Sequence, residues 1–525
     1  MSKNFYLLDC TLRDGGYYNN WNFDNNFINN YLSSVSLAKI DYVEIGFRFL
    51  KHDINLGELA YTKDSFLKKI KIPKNIKIAV MINGEEYKNQ IDKLNKNFLL
   101  CKNSKIDLVR IAININKIDN IKEIAKHIKS KKYKVAINLM QSNQVKKNKL
   151  IEIIELIKQW NCCDILYFAD SLGAMDHVEV KRLCKIIKSK WNKHIGFHSH
   201  DNRSLALSNS LEAIKNSINF IDSTILGMGR GAGNLQTEKI LFELNRLKVH
   251  NGNVKGLSVT LKDFSKLKSL YNWGSNVFYH FAALNNIHPT YIQTLLSDQR
   301  YTDNQIYDSI DFLSKNTSLK FDKNKMMNSI YLHEKIKSGK WNATDWLKNK
   351  KVLIIGSGPS VEINKKKILK FIKENNPKVI FLNINKAFDE KLGIATIACH
   401  EARILGDIKM YKKLRNPIII PFSNLNPYIQ NSLKNKNIYD YSLTLKDDSF
   451  KINSNGCILK WPLAIAYALA ITTQANANKI YLAGFDGYSK SDTRQDEMNE
   501  IFNYYSKIKN KIKIYMITKS SYKIK

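Results

Sequence analysis

Eight short β-rich runs, each followed by a helical pattern, limit the fold of residues 1–285 more than any other feature of this sequence. They lie about 25–37 residues apart and comprise Phe5–Leu8, Tyr42–Ile45, Lys77–Met81, Asp107–Ile111, Lys134–Asn138, Asp164–Phe168, His194–His198 and Phe220–Ser223. Strands that alternate with helices at this spacing are typical of parallel βα units. Eight such units within about 250 residues predict a closed (β/α)8 TIM barrel. An open doubly wound sheet, the alternative, rarely contains eight equal repeats.

The remaining residues fall into two regions with different patterns. Residues 286–348 lose the strand signal and look helical, so they are predicted to form a lid, an interface layer or a linker. A new strand pattern, VLIIG, starts at Val352, and the runs VIFLNI, TIACH, IIIPF and IYLAGFDGY follow it. Residues 349–525 are therefore predicted to form a Rossmann-like open α/β domain. The predicted fold class is α/β in both domains, with a helical connecting region between them.

The composition is that of a folded protein with several domains. The chain has 525 residues, more than one ordinary domain contains, and 44% of them are hydrophobic, which excludes general disorder. No run of 18 apolar residues predicts a membrane span, and MSKNFYLLDC does not resemble a secretory signal. The seven cysteines include no C-x-x-C pair, which favours reduced thiols. These observations predict a cytoplasmic protein.

The net charge of +36 has two interpretations. Clustered lysines and arginines bind nucleic acid, because neutralising phosphates releases counterions. Here the lysines instead follow helical surface patterns, as in residues 122–134 and 365–373, and no basic stripe alternates with aromatic residues. We therefore expect no nucleic-acid partner. The positive field is still expected to attract an anionic, phosphorylated or carboxylated substrate.

Unusual polar residues follow the ends of the predicted barrel strands. In a TIM barrel the functional groups gather where strands end and βα loops begin. The residues at these positions are Asp9–Tyr17 after the first run, Glu44 in the second, Arg110 in the fourth, Asp170 and Ser171 after the sixth, His198–Asn202 at the seventh, and Gly227–Asn234 after the eighth. Their concentration at one end of the barrel predicts an active site there.

The pair His198-x-His200 predicts a metal site. Residues i and i+2 of a strand point to the same face, so both imidazoles can reach one ion. With Asp14 as a third ligand from the first strand, the donor set suits Mg²⁺ or Mn²⁺, and less well Zn²⁺ or Co²⁺. The neighbouring Arg13 is predicted to hold a carboxylate or an enolate oxygen. The alternatives are histidines that only pack at a strand end and an arginine that only neutralises a carboxylate.

The glycine-rich segment GMGRGAGN, residues 227–234, is expected to let the backbone approach a ligand closely. Gly229 and Gly231 are therefore predicted to line the substrate site, together with Arg110 and Ser171 from other strand ends. Asn234 is predicted to supply an oxygen ligand or a hydrogen bond. Glycine-rich turns also occur without ligands, so this segment supports the metal site only in combination with the histidine pair.

Three motifs, D-x-T-L-R-D-G-G, H-x-H-D-N and G-x-G-x-G-A-G-N, resemble those of the metal-dependent aldolase and acyl-CoA lyase superfamily, and most closely its 4-hydroxy-2-oxovalerate aldolases. The resemblance covers residues 1–285. It implies a TIM barrel that holds one divalent metal through Asp14, His198 and His200, with Asn234 as a further ligand, and an Arg13 that stabilises an enolate. Glu44 is expected to join Arg13 in catalysis.

One position departs from that family's pattern. The aldolases have a histidine base three residues after the metal aspartate, where this sequence has Tyr17. Tyr17 is predicted to act as an acid or base only if a metal or cation lowers its pKa from about 10. The resemblance implies aldol chemistry between a 2-oxo acid and an aldehyde. The alternatives are a Claisen-type condensation with an acyl-CoA, and a glycosyltransferase whose barrel is an accessory domain. Homo-oligomer formation stays open.

The C-terminal region carries two further motifs, VLIIGSGPS at residues 352–360 and AGFDGY at residues 483–488. A strand, a glycine turn and a helix start expose backbone N–H groups to phosphate, but Val361 stands where the NAD-binding pattern has its third glycine. Together the two motifs resemble the bacterial CMP-sialyltransferases of surface-polysaccharide loci. The resemblance implies a nucleotide or nucleotide-sugar site lined by Gly356, Ser357, Gly358, Ser360, Asn385, Asn455, Gly456, Asp486 and Tyr488. Those transferases use a histidine base, and none follows His400 here, so nucleotide binding is expected rather than transfer.

Overall fold

The computed structural model describes residues 5–297, 301–316, 318–322, 325–326, 329, 337–446, 449–488 and 493–524. The chain divides into two compact units. The first comprises Met1–Leu295 and Ile310–Asp322, and the second comprises Leu296–Ser309 and Lys323–Lys525. The predicted connecting region, residues 286–348, is thus shared between the two units.

The first unit contains a closed barrel of eight strands, each parallel to both of its neighbours, with β1 closing on β8. This confirms the predicted (β/α)8 barrel. The strands are β1 Tyr6–Asp9, β2 Tyr42–Phe47, β3 Lys77–Asn83, β4 Leu108–Asn114, β5 Lys134–Met140, β6 Ile165–Asp170, β7 His194–Ser199 and β8 Phe220–Ser223. All eight predicted runs overlap these strands, and most strands extend one to three residues beyond the run.

The amphipathic helices of the barrel bury an apolar face. In α6, for example, the buried residues Leu150, Ile153, Ile154 and Ile157 repeat at intervals of three and four. The helices are α1 Thr11–Asn19, α2 Asn25–Leu37, α3 Asp64–Leu67, α4 Ile91–Asn97, α5 Lys122–Ser130, α6 Lys147–Trp160, α7 His177–Lys190, α8 Ala206–Lys215, α9 Thr237–Arg246, α10 Ser258–Tyr271, α11 Val277–Leu284 and α12 Pro289–Ser297.

The two-residue period of the strands decides which side chains enter the barrel interior. One cluster of buried residues includes Leu8, Tyr42, Leu108 and Phe220. The residues two positions further along three of these strands are Glu44, Arg110 and Asp222, and all three are buried. Since side chains i and i+2 share a face, the interior changes from apolar to charged toward the carboxyl ends of the strands. The fold thereby collects its buried charges where the predicted site lies.

Gly196 in β7 shows how closely the interior is packed. A β-carbon at this position would lie 2.3 Å from the ring of Tyr167, and the guanidinium of Arg110 lies 4.2 Å from the centre of the same ring. Only a glycine leaves room for this stack of an aromatic ring and a cation. Gly196 therefore helps to fix Arg110 in the barrel interior.

The second unit is also α/β. Its main sheet has seven parallel strands in the order β13-β12-β11-β10-β9-β17-β18. These strands are β9 Lys351–Ile355, β10 Lys378–Leu382, β11 Ala395–Ile397, β12 Ile418–Ile420, β13 Ile438–Asp440, β17 Lys479–Ala483 and β18 Ile514–Met516. A second sheet, β14 Ser442–Leu445, β15 Phe450–Asn453 and β16 Gly456–Leu459, was not predicted.

The helices outside the barrel are Asp303–Lys315, Ser360–Ile363, Lys365–Asn375, Glu401–Gly406, Ile408–Tyr411, Pro427–Leu433, Ala464–Gln474 and Thr493–Lys507. Ala464–Gln474 is the most apolar of them. Nine of its residues are buried, and seven of these, residues 465–471, belong to the hydrophobic core of the second unit. In the described parts of the chain, no helix has both the length and the apolar character needed to cross a membrane.

Candidate active site

Asp9, the last residue of β1, fixes the start of α1, which carries the predicted catalytic residues. Its Oδ1 accepts hydrogen bonds from the backbone N–H of Thr11 at 2.9 Å and from the hydroxyl of Tyr31 at 2.5 Å, and its Oδ2 accepts one from Thr237 at 2.6 Å. Asp9 is fully buried. It therefore serves the structure, and α1 projects Arg13 and Asp14 from its first turn into the barrel mouth.

Asp14, His198 and His200 converge, as the sequence predicts. All three are buried, and each offers a ligand atom within 4.8 Å of those of the other two. The Nε2 atom of His198 lies 3.6 Å from Asp14 Oδ2. The centres of the His198 and His200 imidazole rings are 5.1 Å apart. Asn234 joins them, because its Nδ2 donates to Asp14 Oδ2 at 2.5 Å. The four predicted ligands thus form one cluster.

The cluster fits a divalent cation on two observations. The Nδ1 atom of His200 and the Oδ1 atom of Asn234 are buried and lack a hydrogen-bond partner among the described residues, which is costly unless a ligand satisfies them. The donor set of two imidazole nitrogens and two oxygens, without a thiolate, suits Mg²⁺, Mn²⁺ or Zn²⁺.

The pKa values of Asp14 and His200 keep both side chains in the protonation state that binds metal. Burial raises the pKa of Asp14, but Arg13, His200, His198 and Arg230 outweigh burial and hold this pKa well below its ordinary value. Burial is also the main reason that the pKa of His200 falls to about 3, although Asp14 opposes it. At neutral pH the carboxylate is therefore ionised and the imidazole of His200 is neutral, as metal binding requires.

A chain of buried ion pairs connects the cluster to the barrel interior. Arg13 binds Asp14 Oδ1 through Nη1 at 2.8 Å and Glu44 Oε2 through Nε at 2.7 Å. Arg110 lies 3.2 Å from the same Glu44 oxygen and 2.6 Å from Asp222 Oδ2. Both arginines have raised pKa values, because their carboxylate partners outweigh the effect of burial. In this chain of ion pairs two guanidiniums thus face three carboxylates.

Two of the predicted site residues, Arg110 and Glu44, are held in buried ion pairs. Arg110 was predicted to bind substrate, but its side chain is fully buried and held by Glu44 and Asp222. The ion pairs give Arg110 a structural role, and its substrate-binding role stays a prediction. Glu44 was predicted to be catalytic, and it is equally buried between Arg13 and Arg110. We interpret it as a positioning residue that holds the guanidinium of Arg13 beside Asp14.

The other predicted substrate residues lie at different distances from the cluster. A β-carbon on Gly229 would lie 2.4 Å from Asn234 Nδ2 and 3.2 Å from Asp14 Oδ2, so this glycine brings the backbone against the predicted ligands. The Oγ atom of Ser171 is buried without a hydrogen-bond partner among the described residues. Gly231 instead faces Pro289 of α12 and has a φ of +69°.

Tyr17 lies one turn after Asp14, but its environment disfavours the predicted acid–base role. Burial raises the pKa of its hydroxyl, although Arg230 opposes this. The Arg230 guanidinium lies 5.5 Å from the centre of the Tyr17 ring. The raised pKa favours the neutral phenol, and the acid–base role of Tyr17 stays a prediction.

In the second unit, the predicted phosphate-binding turn is closed by the chain itself. The N–H groups of Gly356 and Gly358 donate to the carbonyl oxygens of Ala483 and Gly484 at 2.9 and 3.0 Å. The N–H of Ser360 donates to Asp486 Oδ2 at 2.7 Å, and its hydroxyl binds the other oxygen of the same carboxylate. Asp486 thus accepts the hydrogen bonds that Ser360 was expected to offer a phosphate, and its contact with a nucleotide stays a prediction.

The remaining predicted nucleotide residues have contacts of their own. Asn385 accepts hydrogen bonds from Ala387 and Phe388 in its own loop, and Asn455 donates to the carbonyl of Gly339. Gly456 pairs with Ser442 in the unpredicted three-stranded sheet. Ser357 and Tyr488 are exposed, and the ring of Tyr488 lies 4.2 Å from the guanidinium of Arg494.

Three residues near the cluster were not predicted: Asp222, Arg230 and His288. Asp222 Oδ2 lies 2.9 Å from His198 Nδ1, and a charged residue two positions after Phe220 in a barrel strand was a usable signal. Arg230 lies within the glycine-rich segment of residues 227–234, from which only glycines and Asn234 were predicted to line the site. His288 lies just before α12, in the region that was predicted to be a lid, an interface layer or a linker.

Comparisons with known proteins bear on the barrel. Residues 4–261 match the HMGL-like family. A 4-hydroxy-2-oxovalerate aldolase from Carboxydothermus hydrogenoformans is 29% identical over 256 residues, which are 48% of this chain and 74% of that protein. An oxaloacetate decarboxylase from Mycobacterium tuberculosis is 25% identical over 247 residues, which are 46% of this chain and 70% of that protein.

A solved structure resembles the same part of the fold. It is the N-terminal domain of a proposed aldolase from Bacteroides vulgatus, and its sequence is 34% identical. The match has a TM-score of 0.51 and covers 57% of this chain and 99% of that domain.

Proposed function

Because the chain belongs to the HMGL-like family through its barrel, we propose that it is a divalent-metal-dependent carbon–carbon lyase that acts on a 2-oxo acid. The relatives named as an aldolase and a decarboxylase support an enzyme of the lyase class. The observation that carries the proposal is the convergence of Asp14, His198, His200 and Asn234 at the barrel mouth.

The proposed metal would be held by these four side chains. A bound divalent ion supplies Lewis-acid catalysis: it polarises the carbonyl of the 2-oxo acid and offsets the negative charge that develops on its oxygen. Magnesium and manganese fit a donor set with two oxygens, and zinc and cobalt are the alternatives.

Arg13 is proposed to bind the developing enolate oxygen. Its Nη2 atom is buried without a hydrogen-bond partner among the described residues, while Nε and Nη1 are fixed by Glu44 and Asp14. A donor fixed in advance stabilises the transition state without reorganising, and loss of one such donor typically costs about 100- to 1,000-fold in rate. Ser171, whose hydroxyl also has no hydrogen-bond partner in the described part of the chain, is proposed to donate to the substrate carboxylate.

The proposed reaction is aldol cleavage or addition. In cleavage the substrate hydroxyl gives its proton to water, the carbon–carbon bond breaks and its electron pair forms the enolate. An aldehyde is released, and the enolate takes up a proton to give the 2-oxo acid. We propose that Tyr17 donates a hydrogen bond to the substrate hydroxyl as a neutral phenol, because its raised pKa opposes ionisation. Decarboxylation of oxaloacetate forms the same type of enolate, so the relative of that name makes it the second candidate.

A substrate screen tests this proposal. The purified protein with Mn²⁺ is incubated with pyruvate and a set of aldehydes, and in parallel with oxaloacetate or with an acyl-CoA. The expected result is a 4-hydroxy-2-oxo acid that does not form with the Asp14→Ala variant. Carbon dioxide from oxaloacetate would favour the second candidate, and release of CoA would favour the Claisen reaction. No product from any arm, with metal bound, would contradict a lyase.

For the second unit we propose nucleotide or nucleotide-sugar binding of the CMP type in a Rossmann-like domain, and a role of the whole chain in making a surface sugar. The support is the sequence resemblance and a parallel sheet whose order reverses between β9 and β17, which is where α/β sheets bind ligands. Binding would require Asp486 to release Ser360.

Titration calorimetry with CMP, CDP and UDP tests the nucleotide proposal, with wild type and the Asp486→Asn variant compared. Removing the carboxylate charge is expected to tighten binding, because Asp486 then competes less with the phosphate. Absence of binding to both proteins would contradict the proposal.

A further inference from the structure

At the edge of the predicted metal cluster, Arg230 is a cation that pairs with no carboxylate of the described residues. Among the described residues, no carboxylate lies within ion-pair distance of its guanidinium, and its Nε atom is buried without a hydrogen bond. Its contact is the ring of Tyr17, 5.5 Å away. A partly buried guanidinium usually has a partner, so this one is poised to bind an anion that comes from outside the chain.

The residues on both sides of Arg230 fix it in this position. Gly229 lies against Asp14 and Asn234, as described above. Gly231 donates its N–H to Gln293 Oε1 at 3.1 Å and accepts a hydrogen bond from the Tyr18 hydroxyl at 2.9 Å. Gly231 also approaches Pro289, where an added β-carbon would be 2.7 Å away. The backbone of Arg230 is therefore held between the cluster and the start of α12.

His288 is a second polar residue near Arg230. It immediately precedes Pro289, and its backbone N–H donates to the carbonyl of Ser318 at 2.9 Å. Burial, and after it the charges of Arg230 and His200, lower the pKa of its imidazole to about 2. The ring is therefore neutral at physiological pH. Its Nδ1 accepts the N–H of Thr290 at 3.4 Å, which leaves Nε2 as the N–H donor.

We propose that Arg230 and His288 form a subsite for an anionic group, a carboxylate or a phosphate, on the aldehyde partner of the reaction. This rests on the proposed lyase function and deepens it, because it names the class of aldehyde. A guanidinium binds either anion through two parallel hydrogen bonds. Arg13 and the metal ligands take the 2-oxo acid, and the anion subsite selects the second substrate by its charge.

Kinetic specificity provides the first test. The ratio of kcat/KM is measured for charged and neutral aldehydes of similar size: succinic semialdehyde, glycolaldehyde phosphate and butanal. Wild type is expected to prefer one of the charged aldehydes, and Arg230→Gln is expected to lower that preference about 10- to 100-fold. His288→Gln should lower it less. The charged aldehyde with the higher kcat/KM shows whether the subsite binds a carboxylate or a phosphate.

Control variants show whether the change in preference is due to Arg230. Arg246, whose side chain is 67% exposed on α9, provides the control Arg246→Gln, which should keep the wild-type preference. Arg230→Lys should restore part of it, because the charge is kept and the two-pronged geometry is lost. An unchanged preference in Arg230→Gln, with the fold intact by circular dichroism, would overturn the proposal.

Direct binding separates this proposal from the lyase proposal. Inorganic phosphate and acetate are titrated calorimetrically into wild type, Arg230→Gln and Arg246→Gln. At least one anion should bind wild type and Arg246→Gln about 10- to 100-fold more tightly than Arg230→Gln. If it does and no aldehyde reacts, the subsite stands and the lyase proposal fails. If Arg230→Gln binds phosphate and acetate as tightly as wild type does, the subsite proposal fails.

Discussion

The Nδ1 atom of His198 lies 2.9 Å from Asp222 Oδ2, so a buried carboxylate fixes the orientation of a predicted metal ligand. With Nδ1 bound to the carboxylate, Nε2 faces Asp14. Asp222 is itself held by Arg110 at 2.6 Å. Carboxylates that orient ligand histidines in this way strengthen metal binding, and their loss typically weakens it about 10- to 100-fold.

The Asp222→Asn variant is therefore expected to bind Mn²⁺ about 10- to 100-fold more weakly than wild type. Its amide cannot supply the negative charge that orients His198 and balances Arg110. Titration calorimetry on protein verified as folded measures the affinity. Asp263→Asn on α10, at a surface ion pair, is the matched control and should bind like wild type. Equal affinities for wild type and Asp222→Asn would show that this contact does not support the metal site.

Arg13 should be sensitive even to a substitution that keeps its charge. In Arg13→Lys a single ammonium cannot reach Asp14, Glu44 and an enolate oxygen at once, so kcat is expected to fall about 100-fold with a smaller change in KM. Arg246→Lys on the surface is the control. A kcat within about threefold of wild type would exclude Arg13 from stabilising the enolate.

Tyr17 should matter far less than a general base. Its raised pKa keeps the phenol neutral, so Tyr17→Phe removes one neutral hydrogen bond and should lower kcat/KM by about tenfold at most. The pH–rate profile should keep its shape. A loss of about 100-fold or more, together with the disappearance of one limb of the profile, would instead identify Tyr17 as the acid or base.

Asp170 gives the stability of the protein a specific pH dependence. Burial raises its pKa to about 7 from 3.8, although hydrogen bonds from Ala174 and Met175 oppose this. The native state therefore keeps a proton that the unfolded chain loses above about pH 4. The stability due to this proton, about 4 kcal/mol at most, is present below pH 4 and is lost as pH rises toward 7.

Urea unfolding of wild type and Asp170→Asn at pH 5, 6, 7 and 8 measures this effect. The free energy of unfolding of wild type, relative to the variant, should fall between pH 5 and 7 and level off above pH 7. The variant also loses one hydrogen-bond acceptor for the loop, but that loss does not depend on pH. A difference that stays constant across the range would mean that Asp170 is ionised in the native state throughout.

The barrel and the metal cluster were predictable because both depend on short-range patterns. The eight strand runs are local, and the two-residue spacing of His198, in β7, and His200, directly after it, was enough to predict that both imidazoles can reach one ion. The three-stranded sheet was missed because its strands have four residues each. Such strands depend on contacts distant in sequence, in this case the pairing of Ser442–Leu445 with Gly456–Leu459.

The missed site residues have a similar explanation. The ion pair of Arg110 with Asp222 joins residues 112 positions apart, and no local pattern specifies such a distance. His288 directly precedes Pro289, which lies close to Gly231, and this contact joins residues far apart in the sequence. In the second unit the glycine turn looked free to bind phosphate, since the sequence does not show that Asp486, far along the chain, pairs with Ser360.

The most direct test of the central claim is a titration of Mn²⁺ into the metal-free protein, followed by calorimetry or electron paramagnetic resonance. Wild type is predicted to bind one ion per chain, and Asp14→Ala and His200→Ala are predicted to lose that site while Asp263→Ala keeps it. A wild-type protein that binds no divalent ion, or one whose binding survives both substitutions, would contradict the account.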